Sequence, residues 1–154
     1  LKKANIAIHI SKVGDKIPIF DSALQVLSNG YTGKGDNNDS IVTYGNFYHT
    51  KFLFTGDLEQ EGEKELLKNY PKLKFDVLKV GHHGSKTSSN PDFIKEINPK
   101  LALISVGEKN RYGHPNQETL ETLKKNQIRI LRTDQKGALK LMQINQQWRI
   151  QTVR

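Results

Sequence analysis

The chain has 154 residues, and its 24 lysines and arginines against 16 aspartates and glutamates give a formal net charge of +8. The absence of cysteine excludes disulfides and thiolate metal ligands, which leaves imidazole, carboxylate and water for Zn²⁺, Mn²⁺ or Mg²⁺. The charge favours a polyanionic partner, although lysines on predicted helix faces are equally well explained as a solvated surface.

Hydrophobic periodicity divides the chain into strands at both ends and strand-to-helix units in the middle. The predicted strands lie near 4–12, 16–20, 22–28, 40–48, 50–55, 75–80, 101–106, 128–132, 137–143 and 147–153. The predicted helices lie at 59–69, 91–97 and 116–126. Pro115 suits a first helical turn, and residues 133–137 suit a glycine-bearing hairpin connection. The order predicts an α/β (α+β) fold with a mixed sheet and helices on one face.

Each of the three central units places a chemically useful side chain after its strand. Asp57 follows the first strand, His82 and His83 follow the second within a glycine-flanked turn, and His114 lies in the third. The ends of parallel strands open onto one edge of a sheet, where backbone N–H groups favour ligands. We therefore expect Asp57, His82 or His83, and His114 to meet at that edge.

Four stretches, at 40–42, 52–59, 78–89 and 110–115, resemble the metallo-β-lactamase-like domain of ComEC-type competence proteins, the DNA-uptake channels of transformable bacteria. The resemblance runs from about Ile6 to Met142 and implies that residues 1–154 are the C-terminal part of such a domain, one half of an αββα sandwich. The main metal motif of the family, a His-x-His-x-Asp-His-like cluster, is absent from this sequence. The remaining ligands are therefore expected from a missing N-terminal half.

The resemblance implies metal-binding roles for Asp57 and His82. Asp57 would bridge two divalent ions about 3.5–4 Å apart, and His82 stands where such folds place their last histidine ligand. Simpler explanations stay open, because Asp57 could cap the next helix and paired histidines can be ordinary loop residues. The loop at 36–39 has only Asp and Asn where many relatives of the wider fold carry another histidine.

Substrate roles are expected for residues near these ligands. The catalytic candidates are His114, which can move a proton near pH 7, and Lys86, in the hydroxyl-rich loop 85–89. His114 could instead be only the start of a helix, and Lys86 could lie in a flexible connection. Arginine offers a bidentate fork for phosphate, which favours Arg111 as a phosphate ligand. The phosphate-binding candidates are His83, Ser85, Arg111 and Tyr112.

Three functions follow from these residues. The first is a metal-dependent phosphodiesterase or nuclease domain of a DNA internalisation competence protein, with this chain alone inactive because its divalent metal site (Mn, Zn or Mg) is incomplete. The second is a non-catalytic nucleic-acid-binding module, and the third is a small-ester or thioester hydrolase of the same superfold. A binding module needs no metal, which distinguishes it from the first.

The expected partners are DNA, single-stranded or duplex, the missing N-terminal half, and the membrane-channel portion of the parent. A sheet with helices on one face leaves apolar segments such as 6–8 and 41–42 uncovered, which favours a homodimer. No apolar run could span a bilayer and no leader is visible. We expect a soluble domain of a bacterial plasma-membrane protein, on its extracytoplasmic face.

Overall fold

The computed structural model describes residues 7–145 and 147–153, and its main element is a seven-stranded sheet. The strands follow one another in chain order across the sheet, antiparallel from the first to the fourth and parallel from the fourth to the seventh. They are β1 (Lys16–Ile19), β2 (Ser22–Asn29), β3 (Ile41–Phe47), β4 (Thr50–Phe54), β5 (Val77–Lys79), β6 (Leu101–Ile104) and β7 (Arg129–Arg132). The predicted α+β architecture with a mixed sheet is confirmed.

Three helices connect the parallel strands. They are α1 (Gln60–Asn69), α2 (Pro91–Ile97) and α3 (Gln117–Lys125). Asn90 and Asn116 begin α2 and α3 as N-caps, each accepting a backbone N–H from two residues further on. The apolar faces of the helices bury one face of the sheet in a core that includes Leu53, Leu78, Phe93, Ile94, Ile104 and Leu123.

The second face of the sheet is covered by a hairpin, so the expectation of an uncovered face is wrong for this region. β8 (Ala138–Ile144) and β9 (Gln147–Val153) pair as a separate two-stranded sheet. Trp148 packs edge-on against Phe52 with ring centroids 5.5 Å apart, and its Nε1 donates to Thr50 Oγ1 at 2.6 Å. The buried cluster beneath the hairpin comprises Phe52, Val77, Leu101 and Leu131. A homodimer stays a prediction, with less apolar surface available to bury.

Three local predictions are corrected. Residues 133–137 are no hairpin connection, because α4 (Thr133–Lys136) links β7 to a strand of the other sheet, and Arg132 closes this corner through two bonds to Asp134. Pro115 precedes the N-cap of α3 instead of occupying its first turn. Residues 7–12 form no strand, and 1–6 lie outside the described residues. No helix within the described ranges is long and apolar enough to cross a membrane.

Candidate functional site

The structure brings the predicted site residues together at the edge formed by the carboxyl ends of β4, β5 and β6. The rings of His82 and His83 lie 6.4 Å apart, and those of His82 and His114 lie 5.6 Å apart. His83 Nε2 is 3.8 Å from Asp57 Oδ1. Four residues that are up to 57 positions apart in the sequence thus form one cluster, whose chemical roles stay predictions.

The turn after β5 fixes the two histidines. Both His82 and His83 adopt left-handed backbone angles, with φ of 44° and 55°, a conformation that costs on the order of 1–3 kcal/mol per residue unless the surroundings enforce it. The flanking glycines permit close packing, since a Cβ at Gly81 would lie 2.8 Å from the Leu58 carbonyl oxygen and one at Gly84 would lie 2.6 Å from Pro115. The sequence uses glycine where the chain approaches its neighbours too closely for a side chain.

Asp57 faces His83 across a short gap. His83 Nδ1 lies 2.6 Å from the Ser105 carbonyl oxygen and must donate a proton to it, so a neutral ring turns the Nε2 lone pair towards Asp57. Two electron-rich atoms therefore oppose each other at 3.8 Å, an arrangement that a cation between them would stabilise. Zinc bonds to histidine and carboxylate are about 2.0–2.2 Å long, so one ion can contact both groups.

His82 points to a second carboxylate, Glu59. Glu59 Oε1 accepts hydrogen bonds from Asn37 Nδ2 at 3.1 Å and Thr87 Oγ1 at 2.8 Å, and it lies 3.2 Å from His82 Nδ1. Burial alone would raise the pKa of Glu59, but the bonds from Asn37 and Thr87 and the nearby His82 lower it on balance. The sequence favours His82 over His83 as the metal ligand, which stays a prediction, and the imidazole that lies beside Asp57 in the structure is that of His83.

His114 completes the cluster as a weakly basic imidazole. Its ring stacks on Tyr112 with centroids 5.8 Å apart, and Asn110 holds its backbone through bonds of 2.8 and 2.9 Å. Burial, together with His82 and His83 nearby, lowers the pKa of His114 below its usual value. A neutral His114 at pH 7 can accept a proton.

Glu59 and Lys79 also lie at the site and are not among the residues predicted from the sequence. Lys79 Nζ donates to the carbonyl oxygen of Gly56, in the turn that carries Asp57, at 3.0 Å. Burial lowers the pKa of Lys79, and the carboxylate of Asp57 opposes that shift. The position of Glu59, two residues after Asp57, is a sequence signal that could have identified it. Lys79 lies within a strand pattern, which gives no such signal.

The loop 85–89 is packed into the protein. Ser85 is buried and its hydroxyl bonds to that of Thr87 at 3.0 Å, while Ser88 Oγ donates to the carbonyl oxygens of Gly81 and Ser85. Lys86 is exposed beside a cleft of about 530 Å³ that also reaches Glu59 and Thr87. Exposed Arg111 lies in the loop that leads to His114. Lys86 and Arg111, unlike Ser85, are accessible to a ligand.

The donor set fits a divalent ion in part. Asp57 and His83 supply a hard oxygen and an imidazole nitrogen, both suitable for Zn²⁺ or Mn²⁺. Within residues 7–145 and 147–153, no group of three or more His, Asp or Glu side chains is arranged to hold a metal. A larger cleft, about 700 Å³, lies between α2 and α3 and is lined by surface residues. The candidate site is therefore identified by the chemistry of its side chains and not by cleft volume.

Comparison with known proteins places the sequence beside three bacterial proteins, while no family model matches it. It is 44% identical to ComE operon protein 3 of Bacillus subtilis (strain 168) over 139 residues, which is 90% of this chain and 18% of that protein. It is 39% identical to Competence protein ComA of Neisseria gonorrhoeae over 105 residues, 68% of this chain and 15% of ComA. It is 30% identical to Recombination protein 2 of Haemophilus influenzae (strain ATCC 51907 / DSM 11121 / KW20 / Rd) over 131 residues, which is 84% of this chain and 16% of that protein. The chain spans less than a fifth of the length of these relatives.

Proposed function

Because this chain belongs to the ComEC-type competence proteins as a homologous segment, we propose that it is part of a metal-dependent phosphodiesterase domain that acts on DNA. The observation that carries the proposal is the Asp57 carboxylate facing Nε2 of His83 at 3.8 Å, with His82 and His114 alongside. The net charge of +8 supports a polyanionic substrate.

Each residue of the cluster has a distinct part in the proposal. Asp57 and His83 would hold a divalent ion, with His82 as the next donor, and the remaining ligands would come from an N-terminal portion of the parent. A bound ion of this kind polarises a phosphate and lowers the pKa of a bound water. His114, whose pKa is lowered, accepts a proton. Lys86 and Arg111 contact phosphate oxygens from their exposed positions.

The alternatives differ in metal dependence and in pocket shape. A nucleic-acid-binding module would bind DNA equally well after chelation of metal. A small-ester hydrolase would need an enclosed apolar pocket, whereas the cleft beside Glu59 is lined by polar and charged residues, namely Asp36, Asn38, Glu59, Gln60, Glu61, Lys86 and Thr87. An open polar cleft fits an extended, charged substrate better.

The decisive experiment measures Mn²⁺-dependent cleavage of labelled single-stranded and duplex DNA by the parent protein that contains this segment. Asp57→Ala and His83→Ala should each reduce cleavage by about 100-fold or more, because each removes a ligand. Asp92→Ala, an exposed acid on α2, serves as the matched control and should cleave normally. Cleavage by Asp57→Ala at the rate of the unchanged protein would refute the proposal. DNA binding without cleavage, unaffected by chelation, would identify the binding module.

The isolated chain gives a second test. It should bind Mn²⁺ weakly and cleave little DNA, because the described donors supply only part of a metal site. Adding the N-terminal portion of the parent should restore cleavage. Strong cleavage by the chain alone, abolished by Asp57→Ala, would show that all essential ligands lie within it.

A further inference from the structure

Two neighbouring hairpin turns lie at the end of the strands opposite the candidate site, and each presents an aromatic ring. Phe20 is in the two-residue turn between β1 and β2, and Tyr48 is in the two-residue turn between β3 and β4. Because β2 pairs antiparallel with β3, both turns lie at the same edge. That edge is separated from Asp57 by the length of β4, about 17 Å at 3.3 Å per residue.

Folding does not explain these two rings. Phe20 is 101% exposed and Tyr48 is 70% exposed, so neither gains the stabilisation that burial of apolar area gives. Both have left-handed backbone angles, with φ of 49° and 50°, where two-residue turns favour Asn, Asp or Gly. A bulky residue there costs on the order of 1 kcal/mol. The chain therefore carries aromatic residues where they weaken the fold.

Two adjoining clefts lie beside these turns. Phe20, Tyr48, Phe47, Asn46 and Ser22 line a cleft of about 250 Å³. This cleft shares Asn46 and Ser22 with a second cleft of about 190 Å³, whose further lining residues are Lys16, Ala23, Gln25 and Tyr44. We call the two clefts together the turn groove. Its lining residues include aromatic rings, carboxamides and a lysine.

We propose that the turn groove binds a single strand of nucleic acid. Bases stack on Phe20 and Tyr48, as on the aromatic platforms of single-strand-binding proteins. The carboxamides of Asn46 and Gln25 meet base edges, and Lys16 meets the phosphate backbone. The proposal does not depend on metal-dependent cleavage, because the groove lies at the other edge of the sheet.

The composition of the groove favours this occupant over a lipid surface. Carboxamides and the Asp21 carboxylate beside the rings would lose their hydration in an apolar phase, at a cost of several kcal/mol for unpaired groups. Exposed aromatic rings with polar neighbours suit nucleobases, which have an apolar face and a hydrogen-bonding edge. Lys51, the cross-strand partner of Asn46, adds positive charge next to the groove.

The test measures binding of fluorescent 12-nucleotide DNA and RNA strands by anisotropy, with EDTA present so that cleavage plays no part. The double variant Phe20→Ala/Tyr48→Ala should bind at least about 10-fold more weakly, since each base–aromatic stack contributes about 1–3 kcal/mol. Phe20→Tyr/Tyr48→Phe should bind normally. Ile41→Ala/Val153→Ala removes two exposed apolar side chains outside the groove and serves as the control.

Unchanged oligonucleotide affinity in the double alanine variant would overturn the proposal. So would loss of binding to anionic vesicles with oligonucleotide binding intact, which would identify a membrane contact. Circular dichroism checks the fold of each variant. The double alanine variant should lose oligonucleotide affinity in EDTA whether or not the parent protein cleaves DNA, so failure of the groove proposal and failure of the proposed nuclease function give different results.

Discussion

Glu63 offers a direct test of how the fold handles a buried charge. Glu63 belongs to α1, and its side chain is buried with 1% exposure. Its two carboxyl oxygens accept hydrogen bonds from the backbone N–H groups of Ser89 at 2.6 Å and Asn90 at 2.8 Å. Burial raises the pKa of Glu63 to about 7, against the lowering effect of these two bonds. The fold therefore favours the protonated acid more than the unfolded chain does.

The sign of the pH dependence follows from this shift. A pKa raised from 4.5 to about 7 gives a stabilisation that is fully present below pH 4.5 and is lost as pH rises through 7. At 1.36 kcal/mol per pKa unit, the loss is about 3 kcal/mol in total and about 2–3 kcal/mol between pH 5 and pH 8. Glu63→Gln cannot ionise and should lack this part of the slope.

Urea unfolding at pH 5 and pH 8 measures the effect. The free energy of unfolding of the unchanged chain, minus that of Glu63→Gln, should fall by about 2–3 kcal/mol between the two pH values. Glu61→Gln, an exposed acid on the same helix, is the matched control and should change little. A difference that stays constant or grows with pH would refute the reasoning, since it would mean that the two N–H groups keep Glu63 ionised.

Three further substitutions probe packing and capping. Asn38→Ala should lower the free energy of unfolding by about 1–3 kcal/mol, because the buried Asn38 Oδ1 accepts the N–H groups of Glu59 and Gly62 at the start of α1; Asn38→Asp keeps the acceptor and should lose less. Leu53→Ala should lower it by about 2–5 kcal/mol, because Leu53 is fully buried in the main core, and an unchanged urea midpoint would contradict this. Trp148→Phe removes the bond to Thr50 and should increase amide exchange in β8 and β9 without changing exchange in α2.

The elements set by local signals were predictable. Asn90 and Asn116 are N-caps whose effect acts within a few residues, so α2 was placed at its observed bounds and α3 within one residue. The parallel strands were found from their apolar runs. Convergence of Asp57, His82 or His83, and His114 at one edge followed from the general geometry of strand-to-helix units.

Features that depend on distant contacts were not predictable. The hairpin of β8 and β9 covers the second face through contacts such as that of Trp148 with Thr50, 98 residues apart, and no local pattern specifies them. Adjacent histidines look alike in sequence, and only the left-handed turn decides that His83 faces Asp57 while His82 faces Glu59. The sequence pattern shows Lys79 only as a strand residue. Its hydrogen bond to the Gly56 carbonyl oxygen, which forms only in the fold, places it beneath the site.

The first turn of α1 links the stability of the fold to the geometry of the candidate site. Asn38 fixes the loop 36–39 to the start of α1, and Glu63 fixes the end of the loop 85–89 to the same helix. Those two loops carry the Asn37 and Thr87 groups that hold Glu59 against His82. A change at Glu63 should therefore disturb His82 before it disturbs His83, whose ring is held by Ser105 in a separate unit of the sheet. Because Glu63 loses its favourable protonated state as pH rises, the contact of Glu59 with His82 should weaken with rising pH before the contact of His83 with Ser105 does.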